Sequence, residues 1–351
     1  GRPGVQSGTA ADVAAVLRVV GNFLTVKGVP SDAAGARALL DAFPLLVIDR
    51  EIADLAADLR REHGWRLPDA IQAAVRERAA RTPAGEWVVG FKYDDTKTRD
   101  GRPLSRADLD LAAPNHPVLI EHRGGHTAYC NSAAFRLAGV SAATADPPGG
   151  KIDRDERGEP AGRLAETAVG LVERHVPVRS TPADRQAGVK LISQMLAKAG
   201  ITSVHDASAS VADFRAYQDA RAAGELGTRV YVLVYANEID RIIAAGLRQG
   251  SGDDWVRLGG MKTVCDGSIS ERTARLAEPY VGRPTDFGIL VNTPEQLWPQ
   301  LEKAHRAGLQ IGVHANGDVG IDLVLDLYER LQREAPRTSS GFTTVQCSRR
   351  N

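Results

Sequence analysis

Gly200–Val234, GITSVHDASASVADFRAYQDARAAGELGTRVYVLV, is the stretch that decides the fold. Thr202–His205 reads as a short strand, Val211–Ala223 carries apolar residues at helical spacing, and Val230–Val234 is a second, more apolar strand. A strand, an amphipathic helix and a strand in this order make a parallel βα unit. Helix Pro182–Ala199 precedes it. Helix Glu238–Gln249, strand Gly260–Cys265, helix Pro294–Ala307, strand Gln310–Val313 and helix Ile321–Arg333 follow. The fold class is therefore α/β, a partial TIM-type (β/α) barrel, with an inserted strand and loop region before it and a helical N-terminal segment.

The remaining chain divides around that core. Ala10–Val20, Ala33–Leu40, Ile52–Glu62 and Leu67–Ala80 read as helices and Pro44–Ile48 as a strand, which makes residues 1–82 an N-terminal segment. Residues 83–337 hold the barrel portion, with the insertion over about 83–180. In the insertion, Glu86–Val89 and Pro117–Glu121 look like buried strands separated by a loop rich in Asp, Lys, Arg and Gly. Ala133–Ala138 is a short helix, and Asp146–Gly162 is a hairpin or lid. Residues 338–351 show neither period nor cap and are expected to be a disordered tail.

Composition narrows the function. Forty-four basic and 44 acidic side chains balance, so no net field draws the chain to nucleic acid or an anionic membrane. No apolar run approaches the ~20 residues of a membrane span. Three separated cysteines, Cys130, Cys265 and Cys347, offer neither a disulfide framework nor a CxxC metal site, which fits a reducing cytoplasm. The expected partner is a small-molecule substrate.

In a (β/α) barrel the working residues sit at the C-terminal strand ends. Four such ends are Val204–Ala207, the end of Val230–Val234, Met261–Ser268 and Val313–Asp318. His314 follows an apolar run and could bind zinc, or could be hydrogen-bonded in a helix-capping turn. Lys262 lies inside a buried strand, where desolvation disfavours the ammonium form. As a neutral amine it could form a carbamate that bridges two divalent cations; alternatively it pairs with Asp266.

Several ordered segments carry a family resemblance. They are Gly85–Val88, Pro103–Asp110, Pro117-Val118 leading to His122–His126 with Asn131-Ser132, Gly149–Ile152 through Gly158–Gly162, and Gly200–Asp206. Lys262 with Asp266–Ser268, Thr273-Ala274 with Pro279-Tyr280, and His314 with Gly317-Asp318 complete the series. From about Pro83 to Arg337 the chain resembles the YtcJ-like branch of the amidohydrolase superfamily, whose best described activity is N-substituted formamide deformylase. The resemblance implies a metal-dependent hydrolase of amide or other C–N bonds using zinc or another divalent metal, as one ion or as a pair bridged by carboxylated lysine. Lys262 would be the fourth-strand lysine and His314 the fifth-strand metal ligand. His122, His126, His205 and Asp266 would serve substrate binding.

The same pattern carries a first-strand His-x-His, a sixth-strand His and an eighth-strand Asp. None of the eight histidines forms a His-x-His pair, and after Arg337 the likeness is expected to stop. Little or no hydrolysis is expected from this chain alone, with a non-catalytic remnant or binding fragment as the alternative. A partial barrel of strands two to five has open edges, so poor solubility or homo-oligomer formation is expected unless residues 1–82 cover them. Residues 33–73 weakly resemble a VapC-like PIN ribonuclease, in which an acid such as Asp69 helps bind magnesium. At least one codon choice for Arg337–Cys347, read in another frame, would give Arg-His and a later His-Cys-Thr that resemble the sixth-strand region, so frameshift or mosaic assembly is an expectation that the nucleotide sequence tests.

Overall fold

The computed structural model describes residues 67–95, 103–177, 180–337 and 342–345. The elements expected before residue 67, and Cys347, lie outside the described residues. The chain forms two compact units, parted between Ser180 and Thr181.

The first unit contains α1 (Leu67–Arg81), β1 (Val88–Tyr93), α2 (Arg106–Ala112), β2 (Val118–His122), β3 (Thr127–Cys130), α3 (Ser132–Ala138), β4 (Gly150–Arg154), β5 (Pro160–Glu166) and α4 (Gly170–Glu173). Its strands make one sheet in the order β1-β2-β3-β5-β4, with β1 and β2 parallel and the other neighbours antiparallel. Alternation along the strands buries both faces. Tyr93, Ile120 and Tyr129 pack with Ile71, Val75 and Leu109 of α1 and α2. Leu119, Ala128, Ile152 and Leu164 pack with Phe135 of α3 and Val172 of α4.

Several residues of the resemblance hold this unit together. Buried Asn131 caps α3 by accepting from the Ala134 amide (2.9 Å), and accepts from Val118 N–H at 3.0 Å. Its amide nitrogen donates to the carbonyls of His116 (2.8 Å) and Ala113 (3.2 Å), so one side chain ties two loops to a helix start. Ser105 and Asp108 form a capping box at α2. α2 falls within the stretch expected to be a loop, and its start signal is the Ser-x-x-Asp of Ser105 and Asp108.

The second unit runs α5 (Pro182–Lys198), β6 (Ser203–Ala209), α6 (Val211–Ala222), β7 (Arg229–Tyr235), α7 (Ile239–Ala244), β8 (Val256–Val264), α8 (Pro294–Arg306), β9 (Gln310–His314), α9 (Asp318–Glu334) and β10 (Phe342–Val345). All five strands are parallel, and their spatial order follows the chain. Parallel crossovers are right-handed almost without exception, so an unbroken strand order places the crossover helices on one face, the winding of a (β/α) barrel rather than of a doubly wound sheet. Capping boxes Thr181/Asp184 and Ser210/Asp213 start α5 and α6.

Three of the departures from the sequence expectation have clear physical reasons. β8 begins at Val256 rather than Gly260 because its glycines serve contact, not flexibility. A Cβ at Gly259 would lie 2.0 Å from the Tyr231 ring, and one at Gly260 2.0 Å from the Gln310 carbonyl oxygen. α7 stops at Ala244, well before Gln249, as Gly246 turns the chain at φ +68°. Within the tail expected to be disordered, Phe342–Val345 instead form β10, in register with Ile311–His314. The β-branched Thr343, Thr344 and Val345 suit a strand laid on a parallel edge.

Candidate functional site

Strand register in the second unit assigns side chains to faces. Lys262 pairs with Tyr235 on one side and Gly312 on the other, and His314 pairs with Val264. Paired residues point the same way and faces alternate with period two, so Tyr235, Lys262 and His314 share the face opposite the helices. The other face carries Asp206, Thr263 and Cys265, which meet Tyr217 of α6, Gln300 of α8 and the Gly320 carbonyl of α9. Lys262 and His314 thus stand on neighbouring strands, one two-residue step apart, with backbones about 8 Å from each other.

Lys262 is 5% exposed, and burial pulls its ammonium down to about 8 from 10.5. Its ammonium lies 5.9 Å from the centre of the Tyr235 ring. The pairing with Asp266 that the sequence left open gives way to another arrangement. Asp266 is fully buried, and its Oδ1 accepts from Asn316 N–H (2.8 Å) while Oδ2 accepts from Gly317 (2.7 Å) and Arg275 (2.8 Å). Asp266 thereby fastens the β8 loop to the β9–α9 turn. That turn is tight, since a Cβ at Gly317 would lie 1.8 Å from the Arg275 carbonyl oxygen.

His314 Nε2 is 2.9 Å from the Gly267 carbonyl oxygen. A carbonyl only accepts, so Nε2 carries the proton and the lone pair lies on Nδ1. The Asn316 amide also donates to Gly267 O, at 3.0 Å. His205 is exposed, with its ring 4.9 Å from that of Tyr231, whose hydroxyl donates to Gln310 Oε1 at 2.7 Å. It lies on the same face as Lys262, toward the opposite edge of the sheet.

Asp206, next to His205, faces the helices. Burial lifts its carboxyl to about 6, against the lowering effect of the Tyr217 hydroxyl at 2.8 Å. Because the folded state holds this proton longer than the unfolded chain, Asp206 withdraws stability as pH rises from about 4 through 6. Tyr217→Phe removes the lowering hydrogen bond, so carboxyl-carbon NMR should place the Asp206 midpoint higher than in the parent. An unchanged midpoint would contradict this assignment of causes.

The first unit holds the other two sequence candidates. His122 ends β2 with Asp94 and Asp95 beside it. His126 Nδ1 lies 3.0 Å from both carboxylate oxygens of Glu166, which ends β5 at φ 52°. Asp94, Asp95 and Glu166 were not singled out in the sequence. The adjacent acids of the Asp-rich loop were a visible signal, whereas Glu166 meets His126 only through strand pairing 40 residues apart.

Comparison with known proteins identifies the family. A model described as Amidohydrolase family matches residues 49–348. The match takes in residues 49–73 of the PIN-like stretch and 338–348 of the tail, where the likeness was expected to have stopped. YtcJ of Bacillus subtilis (strain 168) is 34% identical over 267 residues, 75% of this chain and 50% of that protein. N-substituted formamide deformylase of Arthrobacter pascens is 27% identical over 282 residues, 76% of this chain and 51% of that protein. The crystal structure of an uncharacterized metal-dependent hydrolase from Pyrococcus horikoshii OT3 superposes with a TM-score of 0.53 at 26% identity, over 80% of this chain and 54% of that one. The chain spans about half the length of the curated relatives it matches. With the family match covering most of its residues, the chain belongs to the amidohydrolase family.

Proposed function

We propose that this chain contributes to metal-dependent hydrolysis of an amide or related C–N bond in a small molecule, with Lys262 and His314 as two ligands of a divalent metal, zinc by preference. The observation that carries the reading is their shared face on adjacent strands, at the strand ends where barrel enzymes work. The donor set fits such an ion. Burial favours the neutral Lys262 amine, the form that takes up carbon dioxide to become a carboxylate-like ligand. The Gly267 carbonyl fixes the tautomer of His314, the orienting contact usual for metal-bound imidazoles. When bound, the metal supplies hydroxide near neutral pH and polarises the scissile carbonyl. His205 is proposed to contact the substrate, while Asp266 acts on it through the loops it fastens.

Catalytic zinc sites usually take three protein ligands. These 351 residues offer Lys262 and His314 on the shared face and contain no His-x-His, so the isolated chain is proposed to bind metal with little or no turnover. A cytoplasmic setting is supported by the buried free thiols of Cys130 and Cys265. No helix among the described residues is long and apolar enough to cross a membrane. The outer edges of β6 and β10, to which no described strand pairs, support association into homo-oligomers.

The test is metal content after zinc loading and dialysis. The parent is expected to retain an ion that Lys262→Ala and His314→Ala each release, alongside slow or undetectable cleavage of an N-substituted formamide. Retention unaffected by either substitution overturns the assignment of ligands.

A further inference from the structure

Outside the Lys262 and His314 face, the first unit concentrates three buried ligand-type side chains at the C-terminal ends of its two parallel strands. Asp94 and Asp95 follow β1, and His122 closes β2, paired in register with Tyr93. All three are more than nine-tenths buried. One ligand atom from each lies within 4.8 Å of the others.

The distances inside the cluster are informative. His122 Nε2 stands 3.5 Å from Asp95 Oδ1 and 3.7 Å from Asp94 Oδ1. Those separations exceed the about 3.2 Å limit of a good N–H···O hydrogen bond. They lie close to the edge of a tetrahedron around a zinc-sized ion, about 3.4 Å for bonds of about 2.0–2.1 Å. The Asp94 carboxylate is already turned for monodentate use, since Arg123 Nε pairs with its Oδ2 and leaves Oδ1 toward His122. An outer oxygen held by a cation is how ligating carboxylates are oriented. The His122 ring stands edge-on to Tyr93, with an interplanar angle of 89°. Tyr93 in turn is fixed by its hydroxyl, which accepts from Leu104 N–H at 2.8 Å.

We propose that Asp94, Asp95 and His122 bind a divalent transition-metal ion, Zn2+ or Mn2+, through two carboxylate oxygens and one imidazole nitrogen. One nitrogen and two oxygens suit these ions, whereas Ca2+ takes six to eight oxygens. Gly124 N–H donates to His122 Nδ1 at 3.2 Å, so the neutral ring carries its proton on Nε2. Loading an ion on Nε2 moves that proton to Nδ1 and turns the Gly124 amide away. The Gly124 amide lies in the turn that Gly125, at φ +78°, closes by donating to the His122 carbonyl at 2.9 Å.

The experiment uses the full chain carrying Lys262→Ala and His314→Ala, which separates this site from the one proposed above. Titration with Zn2+ against a chromophoric chelator is expected to show one bound ion. Asp95→Asn or His122→Gln in that background should weaken binding on the order of 100-fold. The Gly124 amide resonance should shift on zinc addition and stay fixed on Ca2+ addition. Circular dichroism melts check that each variant folds, and Asp95→Asn carries the test alone should His122→Gln unfold. The proposal is overturned if the double variant binds no zinc, or if its zinc affinity is indifferent to both substitutions.

Discussion

Asp266→Ala should lower the unfolding free energy by about 4 kcal/mol, and a denaturant titration should show an earlier midpoint with an unchanged slope. The carboxylate is fully buried and accepts from the backbone N–H groups of Asn316, Gly317 and Arg275. Removing it leaves three donors in a pocket that is closed on the far side by Gly320, where a Cβ would lie 2.7 Å from Asp266 Oδ2. Each unmet buried donor costs about 1–3 kcal/mol, and partial rehydration of the cavity reduces the sum. Asp266→Asn should cost nearly as much, because its NH2 group must face a backbone N–H. A loss below about 1 kcal/mol would show that the loops after β8 and β9 do not depend on this carboxylate.

The second large effect has opposite signs for stability and for metal. Lys262→Met should stabilise the metal-free protein by about 3 kcal/mol at pH 7 and abolish its share in zinc retention. The depression of the Lys262 ammonium from 10.5 to about 8 has burial as its cause. In the native state the group therefore releases its proton earlier than in the unfolded chain. Between about pH 8 and 10.5 the unfolded chain binds more protons, so stability rises with pH across that window. Below pH 8 the burial cost is present in full. Methionine has similar length and no charge, so the variant should start more stable and lose the rise. Urea unfolding of both proteins at pH 7 and pH 10.5 measures this, and equal pH slopes would contradict it.

The sequence revealed the second unit because its signals are local. Alternating strands and amphipathic helices, with Ser or Thr before Asp at helix starts, mark βα units without long-range information. Lys262 and His314 stood out because a lysine within an apolar strand and a histidine at a strand end are chemically conspicuous. Their common face needed the register between β8 and β9, which no single strand displays. In the first unit the decisive contacts are non-local. β3 was overlooked because Thr127–Cys130 is a strand by virtue of its partners on both sides. Asp266 read as an ion-pair partner for Lys262, yet three amides from two other loops claim it. β10 was passed over because four residues form a strand only where β9 presents an edge.

The account rests on Lys262 and His314 sharing one ion, and anomalous diffraction at the zinc edge from zinc-loaded crystals, grown with bicarbonate, tests this most directly. The expected result is a peak on the sheet face that carries Lys262 and His314, about 2.0–2.1 Å from an imidazole nitrogen of His314 and about 2.0–2.2 Å from a carbamate oxygen on Lys262. Zinc found only beside Asp94, Asp95 and His122, with no density between Lys262 and His314, would contradict the central claim.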